Sequence, residues 1–394
     1  AEVEKAVAQS WQFSRRFGNV SGEELLEMQK ELAPVFGTRE KALEKAEFMS
    51  SVLSSLRLNL GADQGMQFHR QIRDGIRAAE LAGEAVNSDR FKSYLESMVK
   101  VLNAFGGTIT PSDFFMATKY ARASGINWSD EYRERVLPTI MQELGASSTG
   151  TAHMSLYQAV VGGMMRQKSI ALFDEMGMID HSKLNPDDLT KEGRVKRIKP
   201  GAFQGSRLLM DNPYEWVQSV LIPKMLERGV MTQGGLDEVR KGNIKEGEGA
   251  EARKSMTEFI ALLFQNRTAQ GLIDMLALQS LKIERDKALI GGSAGIAGSQ
   301  DRLTEDYVNA KLALDKQWDN LTTALGLGQI EDATKALGKL TGAISDLGKA
   351  ITNDPAIAKG LTTGFLTMMA ALFFGGIALL GSAILGSAAL PALA

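Results

Sequence analysis

The chain reads as an all-α protein: helical bundle domains, then a coiled-coil segment, then an apolar helix or helical hairpin. Three observations predict this. Apolar residues recur at intervals of three and four along most of the chain, while strict alternation is scarce. Nine prolines and the turn glycines punctuate these runs. Residues 361–394 carry no charged side chain, and Lys359 is the nearest charge upstream. About 20 apolar residues in helical form span the hydrocarbon core of a bilayer, so 361–380 alone is long enough.

The first expected unit, 1–107, is an N-terminal helical domain. Ser21 and Glu24 form a capping box ahead of Leu25, Leu26 and Met28. Pro34, Gly37 and Thr38 make a break, and Thr38 caps a helix from Arg39 to about Gly61. A further helix is expected over 63–83 and another over 89–105, the latter with Phe91, Leu95, Met98, Val99 and Leu102 on one face. Gly106 and Gly107 end it.

The second unit, 108–300, opens with Thr110 as cap and Pro111 at the first helical position. That helix ends near Gly125. The next starts at Ser129-Asp130, and Pro138 should kink or end it. Residues 145–150 are small and polar, and a Met-rich helix is expected over 151–165. The stretch 177–206 interrupts the pattern with Pro186, Pro200 and several glycines. It reads as an irregular basic loop with a short strand over 194–199. Helices resume at Asn212-Pro213. Residues 242–254 read as a mobile loop before one long helix from Ser255 to about Leu289, and 291–298 is a further break.

The third unit, 301–352, changes period. Leu303, Tyr307, Leu314, Trp318, Leu321 and Leu325 are followed, past two glycines, by Ile330, Leu337, Leu340, Ile344, Leu347 and Ile351. Steps of three, four and seven give a 3.5-residue repeat, the pattern of a coiled-coil seam. Glycines at 326, 328, 338, 342 and 348 each weaken an isolated helix by about 1 kcal/mol, so the seam needs partners. The fourth unit, 353–394, starts at Asn353-Asp354-Pro355. It is an uncharged, transmembrane-like segment with Leu361, Phe365, Leu366, Leu372, Phe373, Phe374, Ile377 and Leu380 as its large apolar residues. The first residue is not Met and the last run stops just after Pro391, so a fragment of a longer polypeptide is expected.

Composition bounds the function. Apolar residues are 44% and charged residues 23%, ordinary for a globular protein. A net charge of −2 gives no global nucleic-acid signature. With no cysteine and only His69, His153 and His181, disulfides and thiolate metal sites are excluded and a zinc site is not expected. No cofactor is expected. The string Gly291-Gly292-Ser293-Ala294-Gly295 fits the spacing of a nucleophile elbow, but that motif needs a strand before it and here a helical pattern precedes. No phosphate-loop spacing occurs. Asp187-Asp188 and Glu23-Glu24 read as helix N-terminal charge. The cations Lys191, Arg194, Lys196, Arg197 and Lys199 lack interleaved aromatics and read as a solvated loop. Met154, Met164 and Met165 read as core. An enzyme is not expected.

One set of stretches is more specific. Residues 112–165 (SDFFMATKYARASGINWSDEYRERVLPTIM…), GRVKRIKPGAF (193–203), NPYEWVQSVLIPKM (212–225), NRTAQGLIDMLALQ (266–279), QWDNLTTALG (317–326) and NDPAIAKGLTTGFLTMMAALFFGGIALL (353–380) follow one another in order. Together they resemble the tail tape measure proteins of tailed bacteriophages, so 108–300 would be the tape-measure core. The resemblance implies a structural ruler that fills the lumen of the tail tube and sets tail length. Such a protein is released ahead of the DNA during ejection, its apolar segment aiding passage across the host membrane. It implies self-association as a parallel homo-oligomer, a trimer being favoured. It also implies contact with the tail tube protein, tail assembly chaperones and tail tip or baseplate hub proteins, with DNA only as a neighbour in the channel. The location would be the virion, after assembly in the host bacterial cytoplasm. The residues alone leave one alternative, a colicin-like pore former with a soluble helical body and an apolar hairpin.

Overall fold

The computed structural model describes residues 2–60, 65–301 and Lys316. Within these the chain is all-α, and the described residues contain two isolated β-bridges and no strand. The coiled-coil seam positions and the apolar run 361–394 lie outside the described residues.

The first helices are α1 (Glu2–Phe17), α2 (Gly22–Phe36), α3 (Arg39–Leu60), α4 (Gly65–Leu81) and α5 (Ser88–Ala104). The capping box of α2 forms as expected: Ser21 Oγ accepts from Glu24 N, and Glu24 Oε2 accepts from Ser21 N. The break expected over Pro34, Gly37 and Thr38 falls at Gly37 and Thr38. Proline is carried inside the last turn of α2, and Gly37 at φ 78° ends the helix. Asn87 caps α5 by accepting from the N–H groups of Asp89 and Arg90.

After α6 (Pro111–Ala121) the chain passes a 3₁₀ stretch (Arg122–Asn127) and a π turn (Tyr132–Val136) into α7 (Leu137–Leu144). Pro138 stands in the first turn of α7, directly after the π turn. A proline ring collides with the carbonyl four residues earlier. Here Leu137 N reaches back five residues to Tyr132 O, which moves the carbonyls aside. The same device precedes Pro223, where a π turn (Val217–Leu221) leads into α12 (Ile222–Glu227).

Helix α8 (Ala146–Val160) begins and ends about five residues earlier than the expected Met-rich helix. Its first turns contain the small residues 146–150, with Gly145 as the N-cap, because they pack on α6: a Cβ at Gly150 would lie 2.8 Å from Ala121 N and still closer to Ala117 O. Met164 is corrected from core to surface, and Met165 only leans on the core.

Beyond α9 (Gln167–Glu175) the expected strand over 194–199 does not form. Val195 pairs with Leu189 in a single bridge, and Asp188 O accepts from both Lys196 N and Arg197 N, which breaks a ladder. Then come α10 (Ser206–Asp211), α11 (Pro213–Trp216), α12 and α13 (Gln233–Arg240). The loop expected over 242–254 and the long helix after it are instead three helices. These are α14 (Gly247–Leu263), α15 (Arg267–Leu278), capped by Asn266, and α16 (Ser280–Gly292). A short α17 (Ile296–Asp301) closes the described chain.

The expected boundary at 107/108 falls inside one compact unit, which takes in the described residues up to Asp301. One continuous core runs from Leu25, Met49 and Phe91 through Phe114 and Ile140 to Trp216, Ile260 and Leu272. Polar pins cross the boundary as well: Ser112 Oγ donates to Asp74 Oδ2 at 2.6 Å, and Ser112 N donates to Gln71 Oε1 at 2.9 Å. Among the described residues no helix is long and apolar enough to cross a membrane.

Candidate functional site

The chemistry-bearing side chains gather in three places. The first is where α5, the 3₁₀ turn Glu84–Val86 and the π turn meet. Arg133 and Glu84 form an ion pair at 3.0 Å, each side chain only 2% exposed. Arg133 also pairs with Asp130 and lies over the Tyr94 ring at 4.9 Å, while Arg90 supplies a second cation to Glu84 at 2.8 Å. The π turn aims Arg133 inward from a helix whose neighbours Glu131 and Arg135 face water. Burial raises the Glu134 carboxyl to about 7, opposed by Arg133 and reinforced by Asp130. A buried pair of this kind positions elements and contributes little net stability unless one partner is removed.

The second cluster lies on α8. His153 is buried, and its ring sits 4.9 Å from Trp128 and 5.6 Å from Tyr132. Tyr132 Oη and His153 Nε2 are hydrogen bonded, and His153 Nδ1 lies 2.7 Å from Thr149 O. A carbonyl only accepts, so Nδ1 carries the proton and Nε2 accepts from the tyrosine. Burial pushes the imidazole down to about 4 and the Tyr132 phenol well up. Both ring nitrogens are committed to structure, and the shallow hollow beside them, between Trp128, Leu156 and Pro213, holds about one water.

The third is the loop 177–206, which is a packed unit. Asp188 is buried at 2% exposure and holds Lys199 at 3.2 Å and Arg197 at 3.3 Å. Asn185 N donates to its carboxylate at 2.9 Å, and that bond, with Lys199 and Arg197, keeps the carboxyl below its usual range. Asp188 is thus more than the helix-end charge its sequence suggests. Lys191, Arg194 and Lys196 stay on the surface. His181 pairs with Asp174 at 2.5 Å at the rim.

These arrangements position elements; none brings a nucleophile to a base in an open cleft. Ser293 Oγ donates to Leu289 O at 2.8 Å and closes α16, so the serine follows a helix and not a strand. Among the described residues no group of three or more metal-binding side chains converges.

Comparison with protein-family models, with curated proteins and with solved structures gave no match. The sites therefore stand on their geometry. The seam residues Leu303 to Ile351 and the apolar set Leu361 to Leu380 fall outside the described residues. Arg133, Glu84 and Asp188 went unnoticed as hubs in the sequence. Arg133 and Glu84 lie far apart in the chain and only the fold brings them together, whereas the partners of Asp188, Arg197 and Lys199, are near in sequence but read as a solvated loop.

Proposed function

We propose that the chain is a tail tape measure protein: a structural ruler of the phage tail lumen, released ahead of the DNA. The observation that carries this reading is the ordered set of stretches between 112 and 380 that resembles that family. The 3.5-residue repeat over 303–351 supports it, because a parallel seam gives identical chains one shared face, and helical rise turns residue number into length at about 1.5 Å per residue. The all-α body, with its charges committed to positioning, agrees with a structural role. On this reading the uncharged run 361–394 is stored among copies of the chain and meets the bilayer only at infection.

A second reading, a pore former, rests on that same uncharged run, whose glycines at 364, 375, 376, 381 and 386 suit a close-packed hairpin. One experiment separates the two. In-frame removal of whole heptads from the phage gene shortens tails in proportion if the chain is a ruler. Tails of unchanged length, with purified protein that leaks liposomes unaided, would establish the pore former instead.

A further inference from the structure

The glycine-rich stretch 291–299 is left unused by the reading above, yet a set of polar contacts ties it to α3 and α5. Ile296 N donates to Glu96 Oε2 at 3.0 Å, and Ile296 O accepts from Ser55 Oγ at 3.2 Å. Asn103 Nδ2 donates to Ala294 O at 2.6 Å and to Ser299 Oγ at 3.0 Å. Gly295 passes so close to α5 that an added Cβ would overlap the Glu96 carboxylate and lie 3.2 Å from Lys100 Cε. Further on, Lys316 Nζ reaches Glu24 Oε1 at 3.3 Å, a carboxylate already paired with the buried Arg57 at 2.5 Å.

What holds this segment differs in kind from what holds the bundle. From 291 to 299 every residue except Ile296 is Gly, Ala or Ser. Among the described residues, one buried aliphatic side chain, the buried Ser299 and these hydrogen bonds hold it, whereas α3 and α5 each bury a full apolar face. Segments with few buried apolar contacts open locally at free energies below that of global unfolding.

We propose that 294–301 is a releasable strap: it detaches from α3 and α5 while the body stays folded. Release frees the eight residues 294–301 from the body, about 28 Å of chain at full extension. The glycine at 295 is required because only a residue without Cβ lets the Glu96 carboxylate reach the backbone of the strap. This holds whether or not the chain is a ruler.

Hydrogen exchange by mass spectrometry on the full chain tests it, comparing peptides over 293–301 with peptides over α5. The strap amides exchange faster than those of α5. Gly295→Ala and, separately, Asn103→Ala speed them by a further factor on the order of ten, the loss of about one hydrogen bond, with α5 unchanged. The strap is overturned if 293–301 exchanges only with α5, if the variants accelerate both regions equally, or if they alter neither.

Discussion

Two glycines at helix-interior positions should respond to alanine with opposite signs. Gly271 lies in α15 with nothing within 4 Å of where a Cβ would stand. Gly271→Ala then gains only helix propensity and unfolded-state entropy, about 1 kcal/mol. Gly150 lies in α8 against α6. Its alanine would gain the same propensity, but the new methyl meets Ala121 N and Tyr120 Cβ at 2.8 Å and Ala117 O more closely still. Ordinary Cβ contact begins at 3.4 Å, so the helices must part by more than about half an ångström. The obstructing atoms are mostly backbone and cannot rotate away. Overpacking of this kind costs about 1–3 kcal/mol and sometimes more. Three contacts under 3.0 Å, two of them to backbone, place Gly150 at the upper end of that range, so the cost outweighs propensity for a net loss of about 2 kcal/mol. Denaturant unfolding read by circular dichroism gives both values. A Gly150→Ala variant as stable as the parent, or more so, would refute the close approach of α6 and α8.

Further outcomes follow from the polar clusters. Arg133→Met leaves Glu84 buried with only Arg90 beside it and should cost about 3 kcal/mol in unfolding free energy; the double variant Arg133→Met/Glu84→Gln should recover part of that. His153 is depressed in the fold, so the unfolded chain takes up its proton first. Stability from this group is lost as pH falls from 6.5 toward 4, by about 3 kcal/mol. Glu134 has the opposite sign: its raised carboxyl makes the fold lose stability as pH rises from 4.5 to about 7. Glu134→Gln should therefore steepen the acid-side loss, and His153→Gln should flatten it, both read from unfolding curves between pH 4 and 7. Arg122, at φ 50° and ψ −124°, holds a conformation that suits glycine, so Arg122→Gly should raise stability by about 1 kcal/mol in the same unfolding assay.

Much of the helical order could be read locally. The Ser21–Glu24 box, Thr110 before Pro111, Asn212 before Pro213 and Gly37 after α2 are signals contained within four residues. What escaped were features decided by partners far along the chain. The helix over 247–254 is polar and glycine-rich, and it forms because Gly249 fits against Asn243 O and Ala252 packs into the core. The small residues 146–150 are helical because α6 lies on them. The π turn before Pro138 lets a proline sit where periodicity predicts a stop. The polar hubs follow the same rule: Glu24 reads as a cap but also anchors Arg57, and Glu84 meets Arg133 across a boundary that composition alone draws at 107.

The ruler reading supposes that a phage encodes the chain, and imaging the tails of such a phage tests it most directly. The account predicts density for it along the axis of the tail tube, in several parallel copies related by rotation about that axis. Tails that lack it from the lumen, while the protein is found elsewhere in the particle or free in the infected cell, would contradict the account.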